Sequence, residues 1–128
     1  MNILLDTHIF LWWITDGSKL SKTAHEFIRD SNNAVYWSAA SSWEVSIKYA
    51  LGRLPLPDVP EIFLAYEIAQ NRIEHLPILD VHAFRAGQLP LHHRDPFDRM
   101  LVAQAQVESL VLLTNDPQLS LYDVNVQG

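Results

Sequence analysis

The sequence predicts a three-layer α/β domain in which helices cover both faces of a parallel sheet. Five short apolar runs rich in β-forming residues are separated by longer stretches with the periodicity of amphipathic helices. Strands that are apolar at every position are typical of a parallel sheet that is buried on both faces. The chain has 128 residues, and no linker, repeat or low-complexity tract divides it. We therefore interpret residues 1–128 as a single domain.

The candidate strands and helices alternate along the chain. The strands are predicted at residues 3–5, 35–37, 76–79, 110–113 and, more weakly, 124–126. The helices are predicted at residues 8–15, 21–30, 39–51, 60–71, 80–88 and 96–107. Proline residues fall near the ends of these elements, as expected for residues that mark corners.

Two of the helices can be oriented from their sequences. The helix over residues 39–51 follows Ser38 and ends at Gly52, and its apolar stripe is expected to face the core. That stripe consists of Ala40, Trp43, Ile47, Ala50 and Leu51. The helix over residues 96–107 begins with Asp95 as its N-cap and Pro96 at its first position. Its apolar side consists of Phe97, Met100, Leu101, Ala105 and Val107.

Charge and cysteine content exclude several classes of protein. Nine Lys and Arg residues against fifteen Asp and Glu residues give a net charge of -6, which argues against coating nucleic acid through a broad basic field. With no cysteine, a metal would be held by oxygen or imidazole, and the cytoplasm is the expected compartment. We expect no signal peptide and no membrane span, because no run approaches about 18 apolar residues.

Acidic residues follow two of the predicted strands. Asp6 comes directly after residues 3–5, and Asp116 comes shortly after Leu113 and Thr114. In an open α/β sheet, ligands bind beyond the carboxyl ends of the strands where the strand order reverses, so both acids are expected to face that crevice. The alternative is that they only supply the turn and N-cap that begin the next helix.

Two further acids lie at the edges of apolar helix faces. Glu44 borders the buried stripe of its helix, where an unpaired charge would be costly. Its partner could be Lys48, four residues later, or a bound cation. Asp98 could be a metal ligand, or it could only complement the dipole of its helix. We expect Asp95 to act as the cap and Asp98 as the ligand.

Convergence of these acids would require a counter-ion. Two like charges about 4 Å apart repel by about 4 kcal/mol at an effective dielectric constant of roughly 20. A hard divalent cation removes this repulsion, and Mg²⁺ or Mn²⁺ suits a site made of carboxylates and water. Such ions activate water and bridge phosphate oxygens, so the sequence predicts hydrolysis of a phosphodiester.

Four segments carry a family resemblance. They read NILLDTH at residues 2–8, SAASSWEVSIK at 38–48, HHRDPFDRMLVAQA at 92–105 and LTND at 113–116. Together they resemble the PIN-domain ribonucleases, and they are most similar to the VapC-type toxins of bacterial toxin–antitoxin pairs. The segments occur in the family's order and spacing over essentially the whole chain, and the DPFDR segment is the most specific of them.

The resemblance implies a five-stranded parallel sheet of order 3-2-1-4-5 and an endoribonuclease that depends on Mg²⁺, with Mn²⁺ as an alternative. It implies an acidic set that is both catalytic and metal-binding, consisting of Asp6, Glu44, Asp98 and Asp116. Asp6 and Asp98 would be the principal ligands, Glu44 a ligand or a residue that orients water, and Asp116 a ligand of a second metal ion or an acid outside the first ligand shell. Thr114 would donate a hydrogen bond behind these acids. The resemblance also implies a homodimer that a cognate VapB-type antitoxin inhibits.

The remaining residues receive simpler interpretations. Among the basic residues near the crevice, Lys48 is expected to contact phosphate or a site carboxylate. The tryptophans are expected in the core or at an interface. No metal-binding role is expected for the six histidines, at positions 8, 25, 75, 82, 92 and 93.

Three other functions fit parts of the same pattern. A phosphoacceptor domain of the response-regulator type needs a lysine at the end of its last strand, but no lysine follows Lys48. A haloacid-dehalogenase-like phosphatase needs Asp-x-Asp after the first strand, where this chain has Asp6-Thr7-His8. A catalytically silent PIN-like module that binds RNA or protein remains the alternative, although all four acids are present.

Overall fold

The computed structural model describes all residues from Met1 to Gly128. The strands are β1 (Asn2–Leu5), β2 (Ala34–Ser38), β3 (Glu74–Leu76), β4 (Val111–Leu113) and β5 (Val126–Gln127). The α-helices are α1 (Thr7–Thr15), α2 (Lys22–Arg29), α3 (Ala39–Ala50), α4 (Pro60–Gln70), α5 (Asp80–Gln88) and α6 (Pro96–Glu108). Two 3₁₀ turns, at Gly17–Lys19 and Pro117–Leu121, were not predicted.

All strand pairs are parallel, and the sheet order β3-β2-β1-β4-β5 confirms the predicted order. β1 lies at the centre, paired with β2 on one side and with β4 on the other. Leu5 pairs with Leu113, and the Asp6 amide donates to the Leu113 carbonyl at 2.9 Å. The carboxyl ends of β1 and β4 therefore lie side by side at the point where the strand order reverses.

Helices cover both faces of the sheet, as predicted. Successive residues of a strand point to opposite faces, so Ile3 and Leu5 pack in one cluster and Leu4 in the other. The first cluster includes Phe10 of α1 and Trp37 of β2, whose rings lie 4.9 Å apart. The second cluster is built largely from α6 and β4. No helix of the chain is long and apolar enough to cross a membrane.

The third strand lies earlier than predicted. The apolar run at residues 76–79 suggested a strand, but pairing with β2 ends where Leu76 meets Ser38. Pro77 follows and has no amide proton to continue the ladder. Glu74 and His75 are exposed because β3 is an edge strand. A polar edge strand gives a weak signal, which is why the sequence favoured the apolar run beyond it.

The buried face of α3 differs from the predicted apolar stripe. Trp43 is 62% exposed and Leu51 is 61% exposed. The face that lies against the sheet carries small and polar residues, with Ser41 and Glu44 both buried. This face points towards the carboxyl ends of the strands, where Thr7 donates a hydrogen bond to Ser41 at 2.8 Å. Polar chemistry at the sheet edge therefore determines which side of α3 is buried.

A similar correction applies to α6. The predicted apolar side included Phe97, Met100 and Val107, but these residues are only half-buried. The residues that are fully buried are Leu101, Val102, Ala103, Gln104 and Ala105. Gln104 accepts a hydrogen bond from Ser38 at 2.5 Å and donates one to the Pro77 carbonyl at 3.2 Å. These bonds fix α6 against the end of β2.

Trp37 in β2 and Trp43 in α3 provide a test of this packing. Trp37→Ala is expected to lower the free energy of unfolding by about 3–5 kcal/mol, because the side chain is completely buried. Trp43→Ala is expected to cost about 1 kcal/mol or less, because the ring makes mainly an edge contact with Phe97. Urea unfolding measures both losses, and equal losses would contradict the assignment of Trp37 to the core and Trp43 to the surface.

Candidate active site

Asp6 occupies the centre of the candidate site. It follows β1, is 5% exposed, and caps α1 by accepting the Thr7 amide at 2.7 Å on Oδ1. Its other oxygen, Oδ2, accepts a hydrogen bond from the Thr114 hydroxyl at 2.6 Å. Thr114 follows β4, so this bond links the ends of the two strands that meet where the order reverses. Thr114 also accepts the Asp116 amide at 3.1 Å.

Glu44 reaches the site from α3. Its side chain is 4% exposed, and Oε2 accepts a hydrogen bond from the Lys48 ammonium at 2.7 Å. Oε1 is buried and has no hydrogen-bond partner. Lys48 is therefore a partner of Glu44, but it satisfies only one of the two oxygens. A buried carboxylate oxygen without a donor is costly unless a cation binds there.

Asp98 lies in the first turn of α6. Asp95 caps that helix as expected, and its side chain accepts the amides of Phe97 at 2.8 Å and Asp98 at 3.3 Å. The Asp98 side chain is 15% exposed. Burial raises the pKa of Asp98 to about 8, and the charges of the neighbouring acids add to the effect. Those acids are Asp6, Asp95, Glu44 and Asp116.

The same effects act on Asp6. Burial raises its pKa, and Glu44 adds to the rise, while the hydrogen bond from Thr114 opposes it. The structure thus brings together all four acids that the sequence singled out. Their mutual repulsion raises the free energy of the charged, metal-free site.

His93 is a member of the site that the sequence analysis missed. Its Nε2 atom lies 3.1 Å from Asp98 Oδ2 and forms a hydrogen bond of 3.1 Å with Asp116 Oδ2. The three atoms lie within 4.8 Å of one another, a spacing that could hold a metal ion. The available signal was the position of His93 just before the Asp95 cap, because a residue there must lie close to the first turn of α6.

Arg99 lies near the site but does not face it. Its guanidinium group donates to four backbone carbonyls, at distances of 3.0 to 3.3 Å, from Ala86, Leu89, Pro90 and His93. These bonds fix the connection between α5 and α6, and they use the hydrogen-bond donors of the Arg99 side chain.

A cavity of about 340 Å³ opens beside the acids. It shares Thr7 and Lys48 with the acidic site, and His8 and Lys19 add two more nitrogen-bearing side chains. Trp12 lines it close to His8, with ring centroids 5.9 Å apart. The other lining residues are mostly apolar, namely Leu11, Val45, Leu54, Pro55 and Leu56. The cavity thus combines an apolar wall with three nitrogen-bearing side chains, one of which, Lys48, is already paired with Glu44.

The donor set fits a hard divalent cation. The Asp98 carboxylate lies within 4.8 Å of the Asp116 and His93 atoms, and Asp6 and Glu44 lie close enough for their charges to raise its pKa. Asp6, Glu44 and Asp98 could therefore supply oxygen ligands to one ion. Two properties support this fit, namely the unpartnered Glu44 Oε1 and the raised pKa of Asp98. A cation would satisfy the first and reverse the second.

A family model for the PIN domain matches residues 3–125. The chain belongs to the PIN-domain family. No curated protein matches the sequence at a significant level.

Several solved structures share this fold. A chain of VapBC2 from Rickettsia felis, crystallised with a promoter DNA fragment, matches with a TM-score of 0.74 at 16% identity, over 99% of this chain and 98% of that one. A chain of VapBC-1 from nontypeable Haemophilus influenzae gives 0.63 at 19% identity, over 99% and 97%. A chain of a toxin–antitoxin complex from Klebsiella pneumoniae gives 0.64 at 17% identity, over 98% and 96%. At these identities the likeness is one of fold.

The raised pKa of Asp98 predicts how the stability of the metal-free PIN domain changes with pH. The folded state holds a proton on Asp98 up to about pH 8, whereas the unfolded chain releases it near the ordinary value of 3.8. The contribution of this group to stability is therefore complete below the unfolded value and is lost as pH rises towards the folded value.

Asp98→Asn removes this titration. In chelator, the variant is expected to gain stability relative to the wild type as pH rises from about 5 to about 8. Urea unfolding at several pH values measures the difference between the two proteins. A difference that stays constant or shrinks over this range would contradict the assigned environment of Asp98.

Proposed function

We propose that this PIN domain is a metal-dependent endoribonuclease that hydrolyses RNA phosphodiester bonds and acts as the toxin of a toxin–antitoxin pair. The observation that carries the proposal is the convergence of Asp6, Glu44, Asp98 and Asp116 beyond the ends of β1 and β4. One buried oxygen of Glu44 lacks a partner, and the pKa of Asp98 is raised to about 8. A bound cation would satisfy the free oxygen of Glu44 and remove the repulsion that otherwise favours a proton on Asp98.

Mg²⁺ is the proposed ion, with Mn²⁺ as an alternative, because every acid offers a hard oxygen ligand. Asp6, Glu44 and Asp98 would hold it, with Asp116 at the edge of the site. When bound, such an ion lowers the pKa of its water and polarises a phosphate oxygen. The protein's part is to fix the ligands and to align the substrate.

Each side chain has a separate task in this proposal. The hydroxyl of Thr114 and the amide of Thr7 hold the two oxygens of Asp6 in place. Lys48 neutralises one oxygen of Glu44 and leaves the other free to bind. Lys48 also borders the cavity described above, where we expect RNA next to the cleaved bond to lie.

The cellular role is inferred from the fold and the family. The similar structures are described as VapBC or toxin–antitoxin complexes. We infer that this chain acts in the cytoplasm, where RNA is available, as a homodimer that a cognate VapB-type antitoxin inhibits. A catalytically silent RNA- or protein-binding module is the alternative, and cleavage by the wild type but not by site variants would separate the two.

Removing single site charges tests the catalytic assignment. Asp6→Asn and Asp98→Asn are each expected to reduce RNA cleavage in Mg²⁺ by at least about 100-fold, because each removes a metal-binding charge. Asparagine keeps one acceptor oxygen for the Thr7 amide, and the Thr114 hydroxyl can turn to accept from the new NH₂ group, so the fold is expected to persist. Cleavage of labelled RNA measures the rates.

Asp123→Asn is the matched control, because this exposed acid lies outside the site. Its cleavage rate is expected to equal that of the wild type. Cleavage by either site variant at the wild-type rate would refute the assignment.

Expression of wild type and Asp6→Asn in a bacterium, followed by sequencing of RNA 5′ ends, tests the toxin role. Growth arrest and new ends are expected only with the wild type.

Metal binding can be tested without a substrate. Mg²⁺ is expected to raise the Tm, because ligand at about 100 times Kd stabilises the folded state by about 2.7 kcal/mol. A chelator is expected to remove the gain, and Asp6→Asn is expected to abolish most of it. An unchanged wild-type Tm in millimolar Mg²⁺ would argue against a preformed metal site.

A further inference from the structure

His93 is held in place from its backbone. Its amide donates to the Tyr122 hydroxyl at 2.9 Å, and its carbonyl accepts from Arg99 at 3.3 Å. Arg99 also lies 3.4 Å from the Tyr122 hydroxyl. These bonds to Tyr122 and Arg99 fix the backbone of His93 next to the site, and the contacts of its two ring nitrogens hold the ring.

The contacts of the ring identify which nitrogen carries the proton. His93 Nδ1 accepts the Asp95 amide at 3.0 Å, and an acceptor nitrogen cannot also hold a hydrogen. In the neutral ring the proton is therefore on Nε2, the atom that faces Asp98 and Asp116. Nε2–H is a donor, and its lone pair is not available to a metal ion in this arrangement.

Asp116 already uses both of its carboxylate oxygens. Oδ1 accepts the Gln118 amide at 2.9 Å, which caps the 3₁₀ turn, and Oδ2 accepts from His93 at 3.1 Å. Asp98 differs, since the polar contact recorded for its carboxylate is with His93 Nε2, at 3.1 Å. The imidazole therefore stands between Asp116, whose two oxygens are held by the Gln118 amide and the ring, and Asp98, whose Oδ2 lies 3.1 Å from Nε2.

We propose that His93 is a positioning residue that links Asp116 to Asp98, so that Asp116 acts on the metal site through the imidazole and not as a direct ligand. Asp116 fixes the ring and strengthens its Nε2–H dipole, and the ring fixes the direction of the Asp98 carboxylate. Histidines and carboxylates that support metal ligands in this way influence metal affinity strongly. This inference deepens the proposed function, because it concerns the same site.

Two substitutions of His93 distinguish the contact made by Nδ1 with the Asp95 amide from the contacts made by Nε2 with Asp98 and Asp116. A glutamine side chain is long enough to present an amide donor near the position of Nε2, whereas an asparagine side chain reaches only the position of Nδ1. His93→Asn is expected to weaken Mg²⁺ binding by about 10–100-fold, and His93→Gln is expected to restore most of the affinity. Calorimetric titration with Mg²⁺ alone measures both. Equal affinities for the two variants, or no loss in either, would overturn the proposal.

A double-mutant cycle tests whether Asp116 acts through His93. If the two residues act in series, His93→Ala and Asp116→Ala together should weaken Mg²⁺ binding about as much as the more damaging single change. Independent ligands would instead give losses that multiply. Thermal unfolding of each variant in chelator checks that it is folded. If His93→Ala does not fold, His93→Asn replaces it in the cycle.

The protonation of the ring gives a readout that needs neither RNA nor catalysis. ¹⁵N NMR of the metal-free protein is expected to show His93 protonated at Nε2, and this proton should persist when Mg²⁺ binds. Loss of the proton on binding would identify His93 as a direct ligand and overturn the inference. If the wild type binds Mg²⁺ with this signature but cleaves no RNA, the proposed function fails while the role of His93 stands.

Discussion

The repulsion among carboxylates that the chain holds together at one edge of its sheet is the constraint on which the rest of the structure depends. Asp6, Glu44 and Asp98 come from the end of β1, from α3 and from α6, which are brought together only by the fold. Burial raises the pKa of both aspartates because water is excluded before any cation replaces it. The apolar packing on both faces of the sheet must therefore supply the stability that the site removes.

This constraint explains the unusual face of α3. An ordinary amphipathic helix would bury Trp43 and Leu51, but here those side chains are exposed and Ser41 and Glu44 are buried. The helix is oriented by its polar contacts at the sheet edge, and Val45 supplies its contact with the core. Leaving Trp43 and Leu51 exposed gives up some apolar burial, and in return α3 places the Glu44 carboxylate at a fixed position in the site.

The sequence predicted the architecture well because its signals were local. Short apolar runs between amphipathic stretches indicated the strands, and Asp95 and Pro96 indicated the start of α6. The four acids were selected by their positions at strand ends and helix edges. The errors have physical causes. β3 is a polar edge strand, and the burial of α3 depends on its neighbours and not on its own periodicity. His93 joins the site through bonds to Tyr122 and Arg99 as well as to Asp95. Its position before the Asp95 cap was the one local signal, and the contacts with Tyr122 and Arg99 leave no pattern in sequence.

The way in which Arg99 holds the connection before α6 has a consequence for sequence variation. Its guanidinium group binds main-chain carbonyls, which every amino acid possesses, and it makes no demand on the side chains at those positions. The side chain of Leu91, which lies between the anchored residues Pro90 and His93 and is 74% exposed, takes no part in these bonds. Its exchange is therefore expected to leave the path of the chain unchanged, while His93, on the inner side of the loop, keeps its position beside the acids.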